Sequence, residues 1–293
     1  MVSTLRLGRT RGRSGSAPRR TPIGLFLGAA LACAILHATP AAAQAAPVAA
    51  AQIQVRYETT AKFTAVRDLL QRHKVLEKAQ LFMSPLRLPR ALTLRSAQCG
   101  APSVPYDSEK GIITICYEAI AGIQDVAKGA ASDPDELAAL VTGGIVEEVL
   151  HRMAVAILQE LDVPVWGREE DAADLLGAFL MLKFDERIAK VAIIGAARLF
   201  ISATTALGKV DYVSELSPPA QRFYNFLCIA YGGEPLDFHA VAEDGFLPKD
   251  RAIRCKDEYN AIRKAFELRL MPYVDPDRVV KVRAIDWLRD AKD

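Results

Sequence analysis

Residues 147–174 read EEVLHRMAVAILQELDVPVWGREEDAAD. Apolar residues at helical spacing surround a lone histidine, His151, and the breaker segment Asp162–Gly167 (DVPVWG) follows. A second helix then opens on the carboxylates Glu169, Glu170 and Asp171. The pattern predicts two helices joined by a short turn, with acids at the positive end of the second helix dipole.

Working outward, Ser132-Asp133-Pro134-Asp135-Glu136 predicts the start of the first helix, from an N-cap, a proline in the first turn and two acids. It runs to about Glu160, weakened or closely packed at Gly143-Gly144. The second helix starts at Arg168 or Glu169 and reaches about Lys190, with the apolar stretch through Leu207 continuing it. Pro218-Pro219 and Pro248-Lys249-Asp250 start two more, to Tyr231 and about Leu270. On the N-terminal side, Gln52–Tyr57, Leu92–Arg95 and Ile112–Cys116 read as short strands, with helices at Thr60–Gln80 and Glu118–Lys128. The fold class is α+β, mostly helical, with a small sheet near the N-terminal side.

Residues 1–43 stand apart. Six arginines and no acid precede the apolar run Ile23–Leu36, and small residues at Ala41 and Ala43 suit a signal peptidase. This is the layout of an export signal. Residues 44–56 form a lead-in and 57–293 one domain. The whole chain carries +2, and losing six arginines leaves −4. A chain of that sign has no basic footprint for nucleic acid, and no long uncharged apolar segment remains to hold it in a membrane after cleavage. Four cysteines remain, Cys99, Cys116, Cys228 and Cys255. In an oxidising compartment they allow three pairings, of which the local one, Cys99–Cys116 with Cys228–Cys255, is favoured. The destination is the periplasm or the outside of the cell.

The hairpin carries the chemistry. In a zinc peptidase, H-E-x-x-H puts two imidazoles on one helix face, and the intervening glutamate takes a proton from the metal's water. An acidic ligand follows from the next helix, where E-x-x-x-D can both ligate and orient a histidine. Here Glu170 and Asp174 keep that second spacing. The first helix offers His151 alone, since Arg152 stands at the base position and Val155 at the second histidine position. A guanidinium takes up no proton at working pH, and valine has no ligand atom.

Pro164–Asp174 (PVWGREEDAAD) resembles, without a gap, the second motif of a bacterial metallopeptidase family whose first motif is H-E-x-G-H. The segments Cys99–Glu118, Gln221–Pro235 and Leu247–Tyr259 are similar to its flanks. The resemblance spans roughly residues 57–273 and implies a zincin-like domain. It implies metal ligands at His151 and Glu170, with Asp174 behind the histidine, as vestiges of a site whose base and second ligand are Arg152 and Val155. The expectation is a catalytically inactive, exported relative with no resident metal, binding or scaffolding a peptide or an envelope protein. Two alternatives stay open. One is an active metallohydrolase with a non-standard zinc site using His151 and Glu170 with Glu147 or Asp174. The other is a purely structural envelope domain.

Arg152 has two readings. It pairs inward with Glu170 or Asp174, replacing the charge of a lost metal, or it forms an exposed i,i−4 pair with Glu148. His151 reads equally as a satisfied core histidine, and Trp166 as a core residue.

Overall fold

The computed structural model describes residues 53–207, 210, 212–282, 285 and 287. The export segment 1–43 and most of the lead-in lie outside them. Strands β1 (Ile53–Tyr57), β2 (Leu92–Ala97) and β3 (Ile112–Cys116) form a parallel sheet in that order, with Val55 opposite Leu94 and Leu94 opposite Ile113. The sheet thus begins inside the segment 44–56 that the domain boundary had set aside as lead-in.

Helices α1 (Thr64–Arg72) and α2 (Val75–Met83) connect β1 to β2. The single helix expected over 60–80 is broken at Lys74, whose φ of 49° is left-handed and cannot continue an α-helix. The break is stabilised from the sheet. The Tyr57 hydroxyl accepts the Leu76 amide at 3.2 Å, filling one of the bonds that α2 lacks at its start, and donates to Glu77 at 2.7 Å.

Helix α3 (Tyr117–Ala130) leads to α4 (Pro134–Glu160), the longest helix among the described residues. The Asp133 carboxylate accepts the Glu136 amide at 2.8 Å, and Glu136 reaches back to the Ser132 amide at 2.7 Å, a reciprocal cap. Every residue from Gly143 to Leu158 except Glu148 is buried. A helix enclosed on all sides must pair each polar group it carries, and this one carries Glu147, His151 and Arg152.

Helices α5 (Glu169–Met181) and α6 (Glu186–Leu207) are separate, where the sequence suggested one run. The chain turns at Leu182–Asp185, burying Phe184 edge-on against Phe82 with centroids 4.9 Å apart. The Asp185 carboxylate accepts the Arg187 amide at 3.3 Å as α6 begins. By length and composition α6 is apolar enough to cross a membrane, but it packs against α4 and α7. The approach to α4 is glycine-dependent. A Cβ on Gly195 would lie 2.3 Å from the Ala139 carbonyl oxygen, and one on Gly143 2.5 Å from the Ala196 nitrogen.

Helices α7 (Pro219–Gly233), α8 (His239–Glu243), α9 (Lys249–Arg269) and α10 (Pro276–Val282) complete the described chain, with a 3-10 turn at Met271–Tyr273. Disulfide Cys99–Cys116 closes the β2–β3 connection and Cys228–Cys255 joins α7 to α9. Both are the local pairings, and they fit an oxidising, exported environment.

Candidate functional site

Three helices converge on the His151 imidazole: α4 supplies the ring, α5 the acids and α7 a cation. His151 is 2% exposed. Its Nδ1 lies 2.6 Å from Asp174 Oδ1 and its Nε2 2.6 Å from Glu170 Oε2. Glu170 and Asp174 are four apart on α5, so one helix face presents both acids to opposite edges of one ring. At Gly177 of α5 an added Cβ would lie 3.8 Å from the His151 backbone nitrogen, an ordinary contact distance, so α5 and α4 are packed against each other at this point.

Charge at the ring follows from this geometry. Burial alone pulls an imidazole down, yet the two carboxylates outweigh it and raise His151 to about 9. At neutral pH both ring nitrogens therefore carry protons and donate. The bond from His151 holds Glu170 below its ordinary range against burial. Burial pushes Asp174 up, but Arg222 and His151 together bring it lower than usual.

Arg222, on α7, is the residue that sequence reasoning missed. Its Nε donates to Asp174 Oδ2 at 2.6 Å, and its Nη2 donates to Asp174 Oδ1 at 2.8 Å and Glu147 Oε1 at 2.7 Å. The guanidinium also lies over the Phe200 ring, 4.0 Å from its centroid. A signal was present: Arg222 is the only charged residue between Pro219 and Gly233. Opposite it, burial pushes Glu147 up to about 7 despite the pull of Arg222.

Arg152 is buried and does what both of its readings described. Its Nε donates to Glu148 at 3.0 Å, the i,i−4 partner, but the pair is enclosed and not exposed. Its Nη1 stands 3.7 Å from Glu170 Oε2, the oxygen that also faces His151. Asp174 is not its partner, because Arg222 holds that acid. Val155 is buried at 4% exposure.

The α5 N-terminus is tied down separately. Asp171 pairs with Arg168 at 2.5 Å and accepts the Ser217 amide at 3.0 Å, and Arg168 reaches the Ser217 hydroxyl at 2.8 Å. Trp166, expected in the core, is fully exposed, because the turn that breaks α4 from α5 lies at the surface.

Glu147, His151 and Asp174 offer ligand atoms within 4.8 Å of one another and could hold a metal. The Arg222 guanidinium bridges the two carboxylates of that group. A hydrolytic zinc of the H-E-x-x-H kind does not fit the residues present, since a buried guanidinium and a buried isopropyl group stand where its base and second imidazole belong.

A family model described as "Putative metallopeptidase" matches residues 56–270, more than two thirds of the chain. No curated protein and no solved structure matches it.

Proposed function

Because the chain belongs to this metallopeptidase family, we propose that it is an exported pseudopeptidase, which keeps the hairpin of the family and uses it to bind or scaffold a peptide or another envelope protein. The observation that carries the reading is Arg152. A fixed cation sits 3.7 Å from Glu170, and His151 donates to the same oxygen. Two acids left without a divalent ion in a buried site would be costly. Here imidazolium and guanidinium supply the positive charge, so the acids need no metal to remain ionised. Asp174 positions the ring and Arg222 positions Asp174.

A second reading is favoured by the Glu147, His151 and Asp174 group. In it, the chain is a metallohydrolase with a non-standard site, and the metal would act as a Lewis acid and lower the pKa of a bound water. Such an ion would have to displace Arg222 from between Glu147 and Asp174.

Elemental analysis of the purified protein separates the two. The pseudopeptidase reading expects well under one zinc per chain after dialysis. Stoichiometric zinc that disappears in His151→Ala would establish the metallohydrolase instead.

A further inference from the structure

The turn between α4 and α5 holds one large aromatic side chain wholly in water. Val163 and Val165 are half-buried and pack against the core, while Pro164 and Trp166 alternate with them and face outward. Trp166 is 100% exposed, although tryptophan is on average a highly buried residue. The turn that presents it is fixed at both ends. The Val163 amide donates to the Leu158 carbonyl at 2.9 Å, and Gln159 Nε2 donates to the Glu169 carboxylate at 2.5 Å, tying the end of α4 to the start of α5.

Charge around this turn is one-sided. Arg168 also donates to the Ser214 carbonyl at 3.4 Å, which brings the loop carrying Tyr212, 83% exposed, and Glu215 to the same end of α5. Residues 159–171 and 212–217 together hold six acids and one cation, Arg168. Arg168 is committed to Asp171, Glu160 is paired with Arg90, and Glu170 faces His151 and Arg152. Asp162, Glu169 and Glu215 are left without an ion pair among the described residues, and Asp162 and Glu215 are exposed. A free aromatic face and uncompensated carboxylates attract the same kind of group, a cation, and both disfavour an anion.

Resting on the reading that the hairpin binds a peptide, we propose that its turn is the docking surface and that the peptide it takes is basic. An arginine side chain stacks on the Trp166 indole, and Asp162, Glu169 and Glu215 attract that guanidinium and a neighbouring cation of the same peptide. Arginine suits the place better than lysine, because a planar guanidinium can lie on an aromatic face and still bond a carboxylate at its edge. The surface is open to water, so the attraction is screened and binding weakens as salt rises.

The indole N–H resonance of Trp166 in isotope-labelled protein reads the contact, and its loss in Trp166→Phe assigns it. Acetylated and amidated Gly-Arg-Gly-Arg-Gly should shift that resonance saturably. The same peptide with citrulline for arginine keeps the shape, loses the charge and should bind at least about tenfold more weakly. Asp162→Asn with Glu215→Gln, at two exposed positions, should weaken the arginine peptide by about fivefold, and Trp166→Ala should weaken it, read from the Gly167 amide, by at least about tenfold. Absence of a saturable shift, equal binding of the two peptides, or indifference to Trp166→Ala would each overturn the proposal. A Trp166 resonance that moves with protein concentration alone would assign the surface to a second copy of the chain and overturn it as well. Failure of the titration in zinc-free protein strikes this surface and leaves the pseudopeptidase reading standing, whereas stoichiometric zinc strikes that reading whatever the peptide does.

Discussion

Arg222 grips Asp174 with two nitrogens, at 2.6 and 2.8 Å, and so holds the acid that fixes the Nδ1 edge of His151. The positioning chain runs from α7 through α5 to α4. Asp174 and His151 are buried and the Arg222 side chain is only 14% exposed, which makes the chain sensitive to the loss of any one charge. Arg222→Met keeps most of the side-chain volume but leaves Asp174 and Glu147 without their cation. Breaking a buried ion pair from one side costs about 3–5 kcal/mol. Urea denaturation should report a loss of that size, and Arg222→Lys a smaller one. A loss under about 1 kcal/mol, the range of exposed pairs, would remove Arg222 from the account.

Stability should fall as pH rises from neutral toward 9. His151 is raised from 6.5 to about 9, so its contribution is fully present below 6.5 and is lost as pH passes 9. Glu147 is raised from 4.5 to about 7, so its contribution is lost across that lower window. Asp174 and Glu170 are lowered, and theirs is lost only on acidification. The His151 part is on the order of 3 kcal/mol. Urea midpoints of the metal-free protein should therefore drop between pH 6.5 and 9, and His151→Gln should flatten that drop. A midpoint that stays level over the same range would show that the ring is already neutral in the folded protein.

The α4–α6 contact gives a test independent of charge. Gly195→Ala would bring a methyl group to 2.3 Å from a backbone carbonyl oxygen, which cannot move without displacing a helix. Overpacking typically costs about 1–3 kcal/mol, and more when backbone must shift. Thermal melting should fall accordingly. Gly122→Ala, where nothing lies within 4 Å of the added carbon, should be neutral or stabilising.

Local signals in the sequence carried far. The capped start of α4, the strand at 112–116, the prolines before α7 and α9 and both disulfide pairings are where residue chemistry placed them. The breaks at Lys74 and at Leu182–Asp185 were not legible, because each depends on where a distant partner sits: Tyr57 for the first, Phe82 for the second. In the site, His151, Glu170 and Asp174 come together through the resemblance of residues 164–174 to the family's second motif, since the spacing of the two acids alone reads as well as a helix start. Arg222 lies 48 residues beyond Asp174, and no local periodicity reports a pairing of that range. Trp166 failed for a related reason, since hydrophobicity says nothing of which side of a turn faces solvent.

The claim that Arg152 takes the place of a metal's charge is tested most directly by restoring the lost pair of residues. Zinc per chain should be measured for the wild-type protein and for Arg152→Glu with Val155→His, expressed and dialysed side by side. With Asp174 already orienting His151, the double variant should retain about one zinc per chain and the wild type almost none. A wild type that holds a full equivalent of zinc, lost in His151→Ala, would contradict the account.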